Sequence, residues 1–280
     1  MFDEANASYA AGNVARRGGQ GQRWMSRVIK GAIRSQKILS WKFDLLLPRR
    51  FRLDGDGDFI SDFVPERVAR GSTVYDVGGG KQPLFSAEDR ARLGLRVIGV
   101  DVDERELRRA PPGTYDATEC ADITEYRGHG DADVVICQAL LEHVKDVESA
   151  LGSIASVLKP GGRALLFVPS RNAVYARLNL LLPEKWKRVL LRFHPRTKEQ
   201  QGFRAYYDRC TPRDFRQMAG KLGLEVEESR LYYVSGYFNM FAPLYVLWRL
   251  WVLLFFALDR ENSAETFSMA IRKPLKTVNE

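Results

Sequence analysis

The run TVYDVGGGKQP, residues 73–83, decides the fold. Thr73 to Val77 has the branched and aromatic residues of a strand. Gly78, Gly79 and Gly80 then let the backbone turn tightly and come close to a ligand, ahead of a helix expected from about Leu84. A second strand, LRVIGVD at residues 95–101, follows and ends in Asp101, where a carboxylate can accept both hydroxyls of a ribose. Outward from this pair, short apolar runs alternate with helical stretches. Tyr115 to Cys120, Asp133 to Gln138 and Arg163 to Val168 read as strands three to five. Val147 to Leu158 is a one-sided helix, stopped by Lys159-Pro160-Gly161-Gly162. Thr211-Pro212 opens another helix, running to Leu222, and Leu224 to Tyr233 and Glu265 to Arg272 are the last strands. Such alternation is the pattern of βαβ units on a parallel sheet, an α/β fold.

The chain's 280 residues, 45% hydrophobic and 28% charged, exclude a disordered, collagen-like or disulfide-stapled protein and can bury a sizeable core. The formal net charge of +8 is unevenly spread, because residues 5–53 hold eleven Lys and Arg against Asp44 alone, a local +10. A basic segment attached to a near-neutral remainder differs from a uniformly basic nucleic-acid binder, and no nucleic-acid partner is expected. Cys120, Cys137 and Cys210 have neither metal spacing nor an even count, which points to a reducing compartment, with all three as buried apolar residues. Met1-Phe-Asp-Glu is acidic where a signal peptide is basic, so secretion is not expected. The Arg-rich stretch from Ala5 to Phe43 has the composition of a mitochondrial presequence, which that acidic start argues against.

Which nucleoside cofactor the glycine turn takes is decided by its departures from the dinucleotide fingerprint G-x-G-x-x-G. Pro83 stands at the third glycine, and Asp76, two residues before the first, suits a cationic ligand better than a pyrophosphate. The arrangement resembles the class I S-adenosylmethionine-dependent methyltransferases, whose first motif reads roughly D-x-G-x-G. Residues 131–172, DADVVICQALLEHVKDVESALGSIASVLKPGGRALLFVPSRN, look like the fourth strand, following helix and fifth strand of the ubiquinone/menaquinone-type small-molecule methyltransferases, the methyltransferase type 11 group. The likeness covers residues 65–170 well and 203–234 loosely. It implies a Rossmann-like seven-stranded sheet of order 3-2-1-4-5-7-6, helices on both faces, and hydrophobic insertions at the carboxyl edge. It further implies that Asp76 and Gly78 to Gly80 surround the methionine portion of S-adenosylmethionine, that Asp101 and Val102 hold the ribose, that Asp122 and Ile123 border the adenine, and that Gln138 sits beside the sulfonium. Relatives often carry E-x-x-E-H after the fourth strand, a possible metal set. This chain has Ala139-Leu140-Leu141-Glu142-His143, without the first carboxylate, and no metal is expected. Gln82 stands where a glycine is common. Three other readings are a nicotinamide-dependent Rossmann oxidoreductase, an RNA methyltransferase and a catalytically silent binding protein. Pro83 and the lack of a Tyr-Lys or Cys-His pair argue against the first. The lack of an Asn-Pro-Pro-Tyr type signature argues against the second.

His143 follows the fourth strand at the edge where open α/β sheets bind ligands, and can take a proton near neutral pH. Two roles are open to it: general base, or a loop-fixing partner of Glu142. His129, in the turn Arg127 to Gly130, is expected in solvent, and His194 lies in an insertion beside Arg192 and Arg196. Arg204, Tyr206, Tyr207 and Asp208 precede a core helix and are candidates, with Glu142, for touching an acceptor.

The most hydrophobic stretch, FAPLYVLWRLWVLLFFAL at 241–258, has only nine uninterrupted apolar residues after Arg249, fewer than the ~20 a span needs. It is expected to form a lid, a membrane contact, or both. Trp24, Met25, Val28, Ile29, Ala32, Ile33, Leu39, Phe43 and Leu46 recur near helical spacing among Arg23, Arg27, Lys30, Arg34 and Lys37, a basic amphipathic helix suited to an anionic membrane surface. The expected organisation is a basic N-terminal segment at 1–60 and a methyltransferase domain at 61–280, with insertions near 172–202 and 235–264. The expected activity is O-methylation of an amphipathic or lipid-linked small molecule or glycan intermediate, or of a quinone or phenolic ring. The expected location is cytoplasmic, at the inner face of the membrane.

Overall fold

The computed structural model describes residues 29–182 and 204–275. His194 and the neighbouring basic and aromatic residues of 183–203, like Trp24, Met25 and Val28, lie outside the described residues. Seven strands form one sheet of order β3-β2-β1-β4-β5-β7-β6. In chain order these are β1 (Thr73–Val77), β2 (Arg96–Asp101), β3 (Ala117–Cys120), β4 (Ala132–Gln138), β5 (Leu158–Pro169), β6 (Glu225–Tyr232) and β7 (Thr266–Arg272). The first five run parallel, whereas β7 is antiparallel to both β5 and β6. Central strands are apolar on both sides because both faces are covered. On one face Val135, Cys137 and Leu166 meet α5 (Val147–Val157) and α7 (Pro212–Lys221) through Leu151, Ile154, Phe215 and Met218. On the other, Val134, Ile136 and Phe167 meet Phe59, Phe63 and Phe85.

The described residues form two compact units, one within 49–234 and 252–275, the other of 29–48 with 235–251. The larger begins at Arg49 because the residues just after it belong to its core. Phe59 and Phe63 are fully buried, Phe59 lies 5.6 Å from the Phe167 ring, and Phe51 packs edge-on against Phe256. They come from a short helix α2 (Gly55–Asp58) and the wider turn Phe59–Phe63 that continues it. A Cβ on Gly55 would lie 2.6 Å from the Tyr232 ring and 2.7 Å from Thr266, so only glycine lets α2 come that close to β6 and β7.

Three expectations are corrected. The helix after the glycine turn, α3 (Ala87–Leu93), starts three residues after Leu84, because Ser86 caps it by accepting the Asp89 N–H at 3.0 Å. The fifth strand starts at Leu158, ahead of the expected Arg163, because Lys159 to Gly162 form its bulged first half: Leu158 already pairs with Ala132, and Gly161 takes φ +82°. Cys120 is exposed, because β3 is an edge strand, while Cys137 and Cys210 are buried.

The smaller unit joins α1, residues 29–44, to the first part of α8 (Ala242–Leu258). Gln36 Oε1 accepts the Ala242 N–H at 2.9 Å, Ser40 donates to the Asn239 carbonyl, and Asp44 accepts from the Tyr245 hydroxyl and pairs with Arg249 Nε at 2.9 Å. Among the described residues no helix is long and apolar enough to cross a membrane.

Gly99 on β2 tests the fit of the larger unit, since a Cβ there would lie 2.8–2.9 Å from ring atoms of Tyr115. Gly99→Ala should lower stability by about 1–3 kcal/mol, as overpacking does, seen as a lower urea midpoint. An unchanged midpoint would mean that the Tyr115 ring is not fixed there.

Candidate active site

Asp76 ends β1 beneath the glycine turn and is almost fully buried. Its Oδ2 accepts the Leu84 N–H at 3.0 Å and the Tyr115 hydroxyl at 3.4 Å, and Tyr115 also donates to the Gly80 carbonyl at 3.2 Å. A Cβ on Gly79 would lie 2.5 Å from that carboxylate. Gly78 and Gly80 take φ +80° and +48°, and side chains there would meet Leu140 and Asp101. The turn therefore offers bare backbone between the ends of β1, β2 and β4. Burial pushes the Asp76 carboxyl up to about 6, against its bonds to Leu84 and Tyr115.

Asp101 lies half-buried at the end of β2, where Oδ1 accepts the Asp103 N–H at 2.9 Å and burial raises its pKa. Val102 beside it is exposed. The Ala121 N–H donates to the Asp101 carbonyl at 3.0 Å, bringing the loop after β3 to this edge. In that loop Asp122 is exposed and caps its own turn through Thr124, while the Ile123 side chain is buried in the core. Bare glycine backbone beside a carboxylate at a strand end fits the amino-acid and ribose portions of S-adenosylmethionine.

The second half of the edge grows from β4. Gln138 Nε2 donates to Asp56 Oδ1 at 2.7 Å, so α2 covers the strand end. Leu140 packs against Gly78 and its carbonyl receives the His143 N–H at 2.8 Å, linking the glycine turn to the Leu141–His143 turn. His143 Nε2 is 3.8 Å from Glu142 Oε1. Glu142 is buried, its Oε2 has no hydrogen-bond partner among the described residues, and burial pushes its carboxyl up to about 8. At neutral pH it is a neutral acid. The Glu142 carbonyl accepts the N–H groups of Tyr206 and Tyr207 at 2.7 and 2.9 Å, which brings that loop to His143. Tyr207 is buried, whereas Tyr206 is half-buried with the exposed Arg204 5.4 Å from its ring. Asp208 accepts the Val147 N–H and so holds the start of α5. Among the described residues three non-glycines have positive φ, Ala139, Tyr207 and Arg209, and all belong to this half; backbone strain of this kind gathers at functional sites. His129 is exposed. No group of three His, Cys, Asp or Glu among the described residues is placed to hold a metal ion.

The structure thus joins Asp76, Gly78 to Gly80 and Asp101 in one half, and Glu142, His143, Tyr206 and Tyr207 in the other. Asp56, Tyr115 and Leu140 were not anticipated. A glycine inside strand β2 was the available signal for a ring as close as Tyr115.

The methyltransferase domain family matches residues 49–229. Ubiquinone biosynthesis O-methyltransferase of Thiobacillus denitrificans is 33% identical over 56% of this chain and 66% of its own length. The enzyme of that name from Cupriavidus pinatubonensis is 30% identical over 57% of this chain and 63% of its own. The chain thus spans less than two thirds of the length of these relatives. The S-adenosylmethionine dependent methyltransferase of Mesorhizobium loti superposes with a TM-score of 0.51 over 78% of this chain and 100% of that one, at 15% identity. The chain belongs to the methyltransferase domain family, with the class I fold of the S-adenosylmethionine-dependent enzymes.

Asp76 and Glu142 hold their protons more tightly folded than unfolded. Each therefore adds stability at low pH that is lost as pH rises, through the window from 3.8 to about 6 for Asp76 and from 4.5 to about 8 for Glu142. Glu142→Gln, which cannot ionise, should gain stability relative to wild type between pH 5 and pH 8 by at least ~2 kcal/mol. Urea unfolding at the two pH values measures it, and a pH-independent difference would mean that Glu142 ionises normally.

Proposed function

We propose that the chain transfers a methyl group from S-adenosylmethionine to an oxygen of an amphipathic or lipid-linked small molecule or glycan intermediate, as a cytoplasmic protein at the inner face of the membrane. The observation that carries this is the juxtaposition, through Leu140, of a glycine turn flanked by Asp76 and Asp101 with His143 and Glu142. When bound, the cofactor supplies a methyl carbon on a cationic sulfur. Transfer is an in-line displacement, so the chain's main task is positioning. In this reading Asp76 and Gly78 to Gly80 bind the methionine portion, Asp101 and Val102 the ribose, Asp122 and Ile123 the adenine edge. Gln138, held by Asp56, faces the sulfonium. His143 receives the acceptor's proton, and Glu142, neutral at pH 7, can donate a hydrogen bond where an ionised carboxylate could only accept one. Arg204, Tyr206 and Tyr207 line the acceptor side.

The name shared by the relatives supports oxygen as the methylated atom and favours a second acceptor, a quinone-type or phenolic ring. A phenol, with a pKa of about 10, needs less help from His143 than a sugar hydroxyl does. The membrane surface is supported by the exposed apolar residues of α1 and α8.

Calorimetry should show binding of S-adenosylmethionine and none of NAD. Asp101→Ala should weaken cofactor binding by about ten- to a hundredfold, the worth of hydrogen bonds to a charged group; an unchanged Kd in a folded variant removes Asp101 from the site.

His143→Ala and His143→Gln should keep cofactor affinity while lowering turnover about a hundredfold, as loss of a general base does. Near-normal turnover would leave His143 only the loop-fixing role.

A further inference from the structure

The smaller unit buries an ion pair and leaves large apolar side chains outside. Its interior holds Arg249, only 1% exposed, with Asp44 and the Tyr245 hydroxyl, and the guanidinium lies 5.2 Å from the Trp248 ring. Trp248 and Tyr245 are themselves buried. Large apolar side chains lie outside: Trp41 is 61% exposed and Leu247 64%. On α8, Leu244, Leu247 and Trp251 recur every three or four residues along one stripe, and Ile38 and Trp41 are exposed three residues apart on α1, with Leu45 exposed just past its end. A helix pair made for water turns its leucines in and its charges out.

Charge is distributed to match. Arg249 is the single charged residue of α8, and pairing it with Asp44 inside the unit leaves that helix no charge on its exposed stripe. On α1, Lys30, Arg34, Lys37 and Lys42 are exposed and interleave with Ile38 and Trp41. Apolar side chains among cations suit an interface that has hydrocarbon behind a layer of negative charge. A second copy of this chain fits less well, since a two-fold contact through the same face would bring these four bases against their own kind. At 17 residues α8 is short of the ~20 needed to cross, so it lies along the surface.

From this we infer that residues 29–48 and 235–251 are a lipid-docking unit that seats Trp41, Leu244, Leu247 and Trp251 in the acyl-headgroup boundary of an anionic phospholipid bilayer. The inference rests on the proposed membrane-surface reading and names its partner and contact residues.

Co-sedimentation of the full chain with vesicles of phosphatidylcholine and phosphatidylglycerol, against phosphatidylcholine alone, tests it. Wild type should bind the mixed vesicles, and salt should weaken binding without abolishing it, because the apolar share is not screened. Leu244→Ser with Leu247→Ser and Trp251→Ser should lower partitioning by more than about tenfold. Lys30→Glu with Arg34→Glu and Lys37→Glu should erase the preference for anionic lipid. Bromine on the acyl chains should quench wild-type tryptophan fluorescence, and less so in Trp41→Phe with Trp251→Phe. Wild type that ignores the mixed vesicles, or a triple serine variant that binds them as wild type does, overturns the inference. So does a dimer in ultracentrifugation that the serine substitutions dissociate in the absence of lipid binding. Cofactor calorimetry on the same proteins keeps the two readings apart: failure to bind S-adenosylmethionine sinks the methyl-transfer proposal whatever the vesicles show, and intact cofactor binding without vesicle binding sinks the docking and the membrane location while methyl transfer stands.

Discussion

Everything at the carboxyl edge hangs on one buried carboxylate. Asp76 ends the central strand β1 and holds the Leu84 N–H eight residues on, which bends 78–84 into a turn before α3 can start. Gly79 has no room for a side chain over that carboxylate, and Tyr115, reaching across from the far side of β2, clamps both the acid and the Gly80 carbonyl. Because β1 lies between β2 and β4, the same turn faces Asp101 on one side and Leu140 on the other. Burial raises the pKa of this acid, a cost the fold accepts in return for a turn whose backbone stays bare for a ligand.

How legible this was in the sequence depended on the range of the interactions. Strands β1, β2 and β4 were readable because strands buried on both faces are continuous apolar runs, a signal each carries locally. The start of α3 was placed too early because Leu84 belongs to the turn through a bond to Asp76, which no local pattern reports. Lys159 to Gly162 contains the usual residues of a helix stop, yet its bulge lets β5 pair at once with Ala132. Asp56 was invisible because its partner, Gln138, is 82 positions away, and the run Asp54 to Asp58 looks like a polar loop until Gly55 is seen against Tyr232. Cys120 was misjudged because an edge strand reads like a central one when its neighbours are unknown.

The candidate site divides along the same line. The glycine turn with Asp101 could be read from spacing, because it occupies two consecutive strand ends. Glu142, His143, Tyr206 and Tyr207 could be named as candidates, but what joins them, two backbone hydrogen bonds between segments more than sixty residues apart, leaves no local pattern. Those bonds draw on strained backbone at Ala139, Tyr207 and Arg209, and they also bury Glu142 deeply enough to keep it protonated at neutral pH.

The smaller unit poses the opposite energetic problem. Burying Arg249 against Asp44 costs desolvation of both ions, and well-packed apolar residues of similar size usually serve stability as well or better. The unit has leucines enough for such a core and keeps them outside, so stability in water does not explain its design. The ion pair, together with the Tyr245 hydroxyl, instead fixes which faces of α1 and α8 turn inward, and with Arg249 inside, the one charge of α8 lies on the face away from the outer stripe. With that charge inside, the stripe has only apolar side chains from Leu244 to Trp251, while the exposed cations among the unit's described residues lie on α1. An arrangement that is unfavourable in bulk water becomes favourable where the apolar stripe can leave it, with the buried pair holding the opposite face of α8 inward.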